Sequence, residues 1–130
     1  MPDKEKANSI IKMVKTNLER VKETNKEKFP SNIIKDYYDC IRELMSVVLL
    51  LVGYKTYGEG AHKALMDYLE LKYKEFTRYE IELLNDLRNK RNKISYGGFF
   101  ISLEYLEQRE KDINSMINKL NNLIKEKLSK

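Results

Sequence analysis

The sequence predicts an all-α protein: an up-and-down bundle of four long helices with one short extra helix, in a single domain over residues 1–130. Apolar residues recur at spacings of three and four along most of the chain, which is the period of a helix with one buried face. Alternating runs of strand type are nearly absent, and there are only two prolines and five glycines. With 130 residues, 42% of them apolar, the chain can form one hydrophobic core but hardly two.

The first two helices are predicted from their apolar stripes. One stripe covers residues 6–24, and its period is lost over residues 25–30, where Pro30 disfavours helix at the residue before it. Ser31 or Asn32 is the expected cap of a second helix over about residues 32–56. Because the middle of this helix is apolar nearly all round, it should lie at the centre of the bundle or contact a partner chain.

Glycines and capping residues delimit the rest of the chain. Gly53, Gly58 and Gly60 predict a turn before a short helix over about residues 61–73. Thr77 and Glu80 have the spacing of a capping box, which predicts the start of a fourth helix that runs to about Ser95. The pair Gly97-Gly98 provides a left-handed stop, and Ser102 is the expected start of a last helix that continues to the C-terminus.

Composition narrows the class of protein. The single cysteine, Cys40, cannot form an internal disulfide, and the N-terminus does not have the order of regions that a signal peptide needs, so a reducing cytoplasm is expected. The longest apolar run, residues 47–52, is far shorter than the roughly 20 residues that span a bilayer. A net charge of +5 favours polyanions only weakly.

Two arginines of the fourth predicted helix fall on its inward side. On a helical wheel, Arg88, Arg91 and Ser95 lie within the arc of the apolar residues, whereas Lys90 and Lys93 point to its edge or back. The apolar residues that define this arc are Ile81, Leu83, Leu84, Leu87 and Ile94. Since a buried guanidinium without a partner is costly, this end of the helix should open into a polar cleft or a subunit interface.

The two arginines have two interpretations. Their side chains could extend past the edge of the core, where their positive charges interact favourably with the negative end of the helix dipole. Alternatively, guanidinium groups one turn apart could bind adjacent phosphate oxygens, with Asn92, Ser95 and Tyr96 adding hydrogen bonds or a stacking face. A plain structural bundle would leave Arg88 and Arg91 ion-paired at the surface.

The segment Arg91-Asn-Lys-Ile-Ser-Tyr96 resembles the signature of HEPN domains, small helical bundles of prokaryotic toxin–antitoxin and defence systems. RNase members of that family carry Arg-Asn, three residues and then His, and here Tyr96 stands in place of the histidine. The Leu-rich second helix and the segment Gly60-Ala-His-Lys-Ala-Leu65 are also similar to HEPN sequences.

The resemblance implies a homodimer that acts as a metal-independent RNase without a cofactor. Arg91 and Tyr96 would hold the catalytic positions, and Arg88, Asn92 and Ser95 would bind the ligand in a dimer cleft. Histidine, with a pKa of about 6.5, exchanges protons at neutral pH, whereas tyrosine, at about 10, is a poor base. We therefore expect a component of a toxin–antitoxin or related module that binds RNA or phosphate, with weak or absent RNase activity.

A second branch of the family supplies an alternative. Its members, linked to nucleotidyltransferase partners, have Arg, two residues, a small-acidic pair and then Tyr-Gly. Arg91, Tyr96 and Gly97 fit that pattern, although Ile94-Ser95 replaces the usual Ala-Asp. The chain could then be a non-catalytic subunit that docks a nucleotidyltransferase-type protein.

Other reactive residues are interpreted as structural. The only histidine, His62, starts the short helix without a nearby carboxylate and nucleophile to make it a base. Cys40 lies on an apolar helix face, where packing is the expected role. No Cys and His spacing suggests a metal site, so neither a metal nor a cofactor is expected.

Overall fold

The computed structural model describes residues 3–53, 63, 66–68 and 76–129. Most of these residues belong to four long helices. They are α1 (Lys4–Glu23), α2 (Pro30–Leu51), α3 (Arg78–Gly97) and α4 (Leu103–Leu128). Residues 63 and 66–68 are also helical, whereas the rest of the predicted short helix lies outside the described residues. No strand occurs within these ranges, and the predicted all-α bundle is confirmed.

Helix α2 is the centre of the bundle. It packs against α1, α3 and α4, and side chains on nearly all sides of it, including Ile33, Ile41 and Leu44, are buried. Its apolar middle is thus explained by contacts within the chain, as the first of the two sequence interpretations predicted. None of the described helices is both long enough and apolar enough to cross a membrane.

The predicted start of α2 is wrong by two residues. Pro30 is its first residue, and Phe29 occupies the cap position without a side-chain hydrogen bond. Proline fits the first turn because its ring presets φ and its missing N–H would have had no partner there. Ser31 therefore does not cap the helix, and its Oγ instead accepts a hydrogen bond of 2.6 Å from the buried N–H of Ile101. This bond ties the loop after α3 to the start of α2.

Replacing Ser31 with alanine is expected to lower the free energy of unfolding by about 1–3 kcal/mol, because the Ile101 N–H would stay buried without an acceptor. Urea denaturation followed by circular dichroism measures the change. Ser46→Ala is the matched control: its hydroxyl only donates to the Arg42 carbonyl within α2, so alanine should change stability little. Equal stability of the Ser31 variant and the wild type would contradict this role.

Both ends of α3 follow the predicted capping residues. The Thr77 Oγ1 accepts from the Glu80 N–H at 3.1 Å, and the Glu80 carboxylate accepts from the Thr77 N–H at 2.9 Å, which confirms the capping box. Burial acts to raise the pKa of Glu80, but hydrogen bonds from Lys119 and Thr77 outweigh it and hold this pKa below its usual range. Gly98 takes the left-handed conformation (φ 64°) and stops the helix. The helix therefore continues two residues beyond the predicted end at Ser95.

Candidate functional site

Arg91 lies between α2 and α3 rather than in solvent. Its side chain is 19% exposed, and its Nε lies 3.2 Å from Oδ1 of Asp39 on α2. A longer contact of 3.5 Å joins its Nη1 to Oδ1 of Asn92. The inward direction agrees with the helical wheel. Asp39 was not among the predicted site residues, because a partner on another helix leaves no spacing pattern in the sequence.

Arg88 is half-buried one turn earlier on α3. It lines an open pocket of about 350 Å³, whose other lining residues are Lys63, Met66, Asp67, Arg78, Ile81, Glu82 and Asn85. Arg88 forms no ion pair with a carboxylate of the described residues. Its guanidinium group therefore keeps hydrogen-bond donors for a ligand.

Three arginines act electrostatically on Tyr38. Burial raises the pKa of this tyrosine on α2 to about 12, while the positive charges of Arg42, Arg88 and Arg91 act in the opposite direction. All three guanidinium groups are therefore close enough to influence one hydroxyl. At neutral pH the hydroxyl stays protonated, so Tyr38 can donate a hydrogen bond but cannot act as a base.

We call this set of residues, namely Tyr38, Asp39, Arg42, Arg88 and Arg91, the arginine cluster. Tyr38 and Arg42 are four residues apart on α2 and share a face, a spacing that the sequence does contain. The Nη2 atom of Arg42 also lies 3.5 Å from Oε1 of Glu43. Arg42, Arg88 and Arg91 contribute three positive charges to the cluster, and Asp39 and the adjacent Glu43 contribute two negative charges. Beside Arg88, Lys63 and Arg78 balance Asp67 and Glu82 of the same pocket. Positive charge therefore remains in excess, which makes the cluster suited to an anion.

The structure does not bring Tyr96 to the arginine cluster within one chain. Because α3 continues to Gly97, Tyr96 stands five helical positions after Arg91. That spacing turns it about 140° around the helix axis and moves it about 7.5 Å along the axis. Its side chain is 78% exposed. Ser95, four positions after Arg91, lies on the same side as Arg91 but is exposed.

The remaining candidates do not add to the site. Cys40 is buried, and burial raises the pKa of its thiol to about 12, so it packs in the core as predicted. His62 lies outside the described residues. Within the ranges that the structure describes, no group of three His, Cys, Asp or Glu side chains could hold a metal ion.

Comparison of the chain with protein-family models, with curated proteins and with solved structures gave no match. The fold and the cluster define a helical bundle with a half-buried cationic site between two of its helices. That site is the basis of the functional proposal.

Proposed function

We propose that this chain is a HEPN-type component of a toxin–antitoxin or related module and binds RNA through a backbone phosphate at the arginine cluster. The position of Arg91 supports this proposal. Its ion pair with Asp39 keeps the Arg91 side chain half-buried between α2 and α3. There its positive charge acts on the Tyr38 hydroxyl together with the charges of Arg42 and Arg88. Guanidinium groups held in this way can bind phosphate oxygens with little loss of side-chain entropy.

A phosphate would compete with Asp39 for Arg91. A guanidinium group has five N–H donors, and the 3.2 Å bond to Asp39 uses only Nε. A phosphate oxygen can therefore approach the Nη donors, and Arg88 can bind a second oxygen from the adjacent turn. The Asn92 amide is a further donor at this place. Binding would add phosphate contacts to Arg91, while the negative charge of Asp39 opposes the phosphate.

RNase activity is expected to be weak or absent. Cleavage needs a group that takes a proton from the attacking hydroxyl near neutral pH. Tyr38 is protonated there, and Tyr96 projects from a different side of α3 than Arg91. A homodimer in which two arginine clusters face one cleft could bring Tyr96 of one protomer to Arg91 of the other. We include this homodimer in the proposal, together with a cytoplasmic location.

One observation favours the alternative, a non-catalytic subunit for a nucleotidyltransferase-type partner. Tyr96 is 78% exposed at the end of α3, where a partner can reach its hydroxyl. This alternative predicts a stable complex with such a partner and no RNA binding by the purified chain. A titration with RNA therefore separates RNA binding from the docking of a nucleotidyltransferase-type partner.

The test is a titration of labelled single-stranded RNA at several salt concentrations, followed by fluorescence anisotropy. We expect binding that weakens with salt, and Arg88→Ala should make the salt slope shallower by about 0.7–1, the value for one phosphate contact. Arg20→Ala is the matched control, since it removes the same charge from an exposed position on α1 and should leave the slope nearly unchanged.

Two outcomes would contradict the proposal. If the wild type does not bind RNA at about 50 mM salt, where electrostatic contacts are strong, the arginine cluster is not an RNA site. If the purified chain rapidly cleaves the RNA in the presence of EDTA, the expectation of weak or absent nuclease activity is wrong.

A further inference from the structure

A second surface lies at the end of α3, on aromatic side chains that the core does not use. Tyr96 is 78% exposed, Phe99 44% and Phe100 87%. Single exposed apolar residues are normal on a protein surface, but three large exposed rings within five residues of sequence are more than scattered single side chains. Such a group indicates a binding surface.

Positive charges surround these rings. The Nζ atoms of Lys90 and Lys93 lie 5.8 Å and 5.7 Å from the centroid of the Phe99 ring, and Lys90 also lies 5.7 Å from that of Tyr105. The Arg109 guanidinium lies 5.1 Å from the Tyr105 ring. These are cation–π distances, so the cations are held beside the aromatic faces.

The nearby carboxylates already have hydrogen-bond partners. Asp86, one turn before Lys90 on α3, accepts a hydrogen bond from the Tyr105 hydroxyl. Glu104 accepts one from Gln108 at 3.3 Å. Neither Lys90 nor Lys93 forms an ion pair with a carboxylate of the described residues, so both charges are available to an anionic ligand.

The loop that carries the two phenylalanines is fixed at both ends. Gly98 stops α3 in the left-handed conformation, and the Phe99 N–H donates to the Lys93 carbonyl at 3.1 Å. Ile101 is buried, and its N–H is bonded to Ser31. The rings of Phe99 and Phe100 are therefore presented by an ordered backbone, which lowers the entropic cost of binding.

The same end of the molecule carries a further ring and cation. The bond between Ser31 and Ile101 brings the start of α2 to this loop. Two residues before Ser31, Phe29 is 40% exposed and the Nζ of Lys28 lies 5.4 Å from its ring centroid. The combination of an exposed ring and a lysine is thus repeated on the adjoining segment.

We propose that Lys90, Lys93, Phe99 and Phe100 form a binding surface for single-stranded nucleic acid, in which unpaired bases stack on the rings and the lysines neutralise the backbone. This inference rests on the proposed function, because it takes RNA as the ligand, and it adds that the bound RNA is single-stranded. Base faces are available only in single strands, and stacking combined with positive charge is the usual way to bind them.

The experiment compares a single-stranded RNA with a duplex RNA of the same length. The wild type should prefer the single strand, and Phe99→Ala/Phe100→Ala should weaken single-strand binding by about tenfold or more while changing duplex binding little. Phe100→Ala alone, at a side chain 87% exposed, should give a loss of about fivefold without affecting packing. Tyr79→Ala is the control. The Tyr79 ring is exposed as well, at 52%, but it lies near the start of α3, about 25 Å along the helix from the end that carries the aromatic surface.

The result separates this inference from the proposed function. If the double phenylalanine variant binds the single strand like the wild type while Arg91→Ala loses binding, the aromatic surface is overturned and the arginine cluster stands. If the phenylalanine variant loses binding and Arg91→Ala does not, the aromatic surface stands and the arginine cluster fails. If the wild type binds both RNAs equally, or neither of them, the aromatic surface is overturned.

Discussion

Replacing Arg91 with alanine is expected to weaken binding of single-stranded RNA by about tenfold to one-hundredfold. Hydrogen bonds to charged groups contribute about 1.5–3 kcal/mol, and each 1.4 kcal/mol is a factor of ten in the dissociation constant. The substitution also leaves Asp39 without its ion pair in the described structure, so that a carboxylate repels the incoming phosphate. Fluorescence anisotropy at fixed salt measures the loss, and circular dichroism checks that the helices remain.

Arg20→Ala is the matched control for this change. Arg20 pairs with Asp36 of α2 at 3.0 Å, as Arg91 pairs with Asp39 of α2 at 3.2 Å, but the Arg20 side chain is 62% exposed. Arg20→Ala removes the same charge from an exposed position on α1 and should change RNA affinity by less than about threefold, since a single exposed charge acts weakly. Equal losses of RNA affinity in the two variants would mean that the affinity depends only on the net charge of the protein.

Leu44→Ala is expected to lower the free energy of unfolding by about 2–5 kcal/mol, the range for a large buried side chain whose removal leaves a cavity. Leu44 is fully buried near the middle of α2, the helix that packs against all three other long helices. Because protein cores are closely packed, the neighbouring side chains can move only partly into the space. Urea or thermal denaturation gives the magnitude.

Met13→Ala is the control for the core. Met13 is 61% exposed on α1, so its truncation should change the free energy of unfolding by no more than about 0.5 kcal/mol. A Leu44 variant as stable as the Met13 variant would contradict the central position of α2.

Local signals in the sequence predicted the ends of α3 and the start of α4. Thr77 with Glu80 forms a capping box, Gly98 is a left-handed stop, and Ser102 accepts from the Tyr105 N–H at the start of α4. These features depend only on residues within a few positions of one another. Pro30 illustrates the limit, because a proline can lie outside a helix or begin it, and the tertiary contact of Ser31 with Ile101 is not visible in the sequence.

The candidate site was predictable in part. The helical wheel gave the direction of Arg88 and Arg91, since that direction depends only on helix period. Asp39 was missed because it lies on another helix, 52 positions away in the sequence. The wheel placed Lys90 at the edge or back of the arc, and the structure places it half-buried beside Phe99 and Tyr105. These two rings belong to the loop after α3 and to α4, so a wheel of one helix does not contain the contacts.

The most direct test of the arginine cluster is the RNA affinity of Asp39→Asn measured beside that of Arg91→Ala. If Arg91 binds phosphate in competition with Asp39, Asp39→Asn should bind RNA about threefold or more tightly and Arg91→Ala more weakly, whereas Asp36→Asn at the control ion pair should change little. If the pair only joins α2 to α3, both variants should lose stability and bind RNA like the wild type. That result would contradict the account.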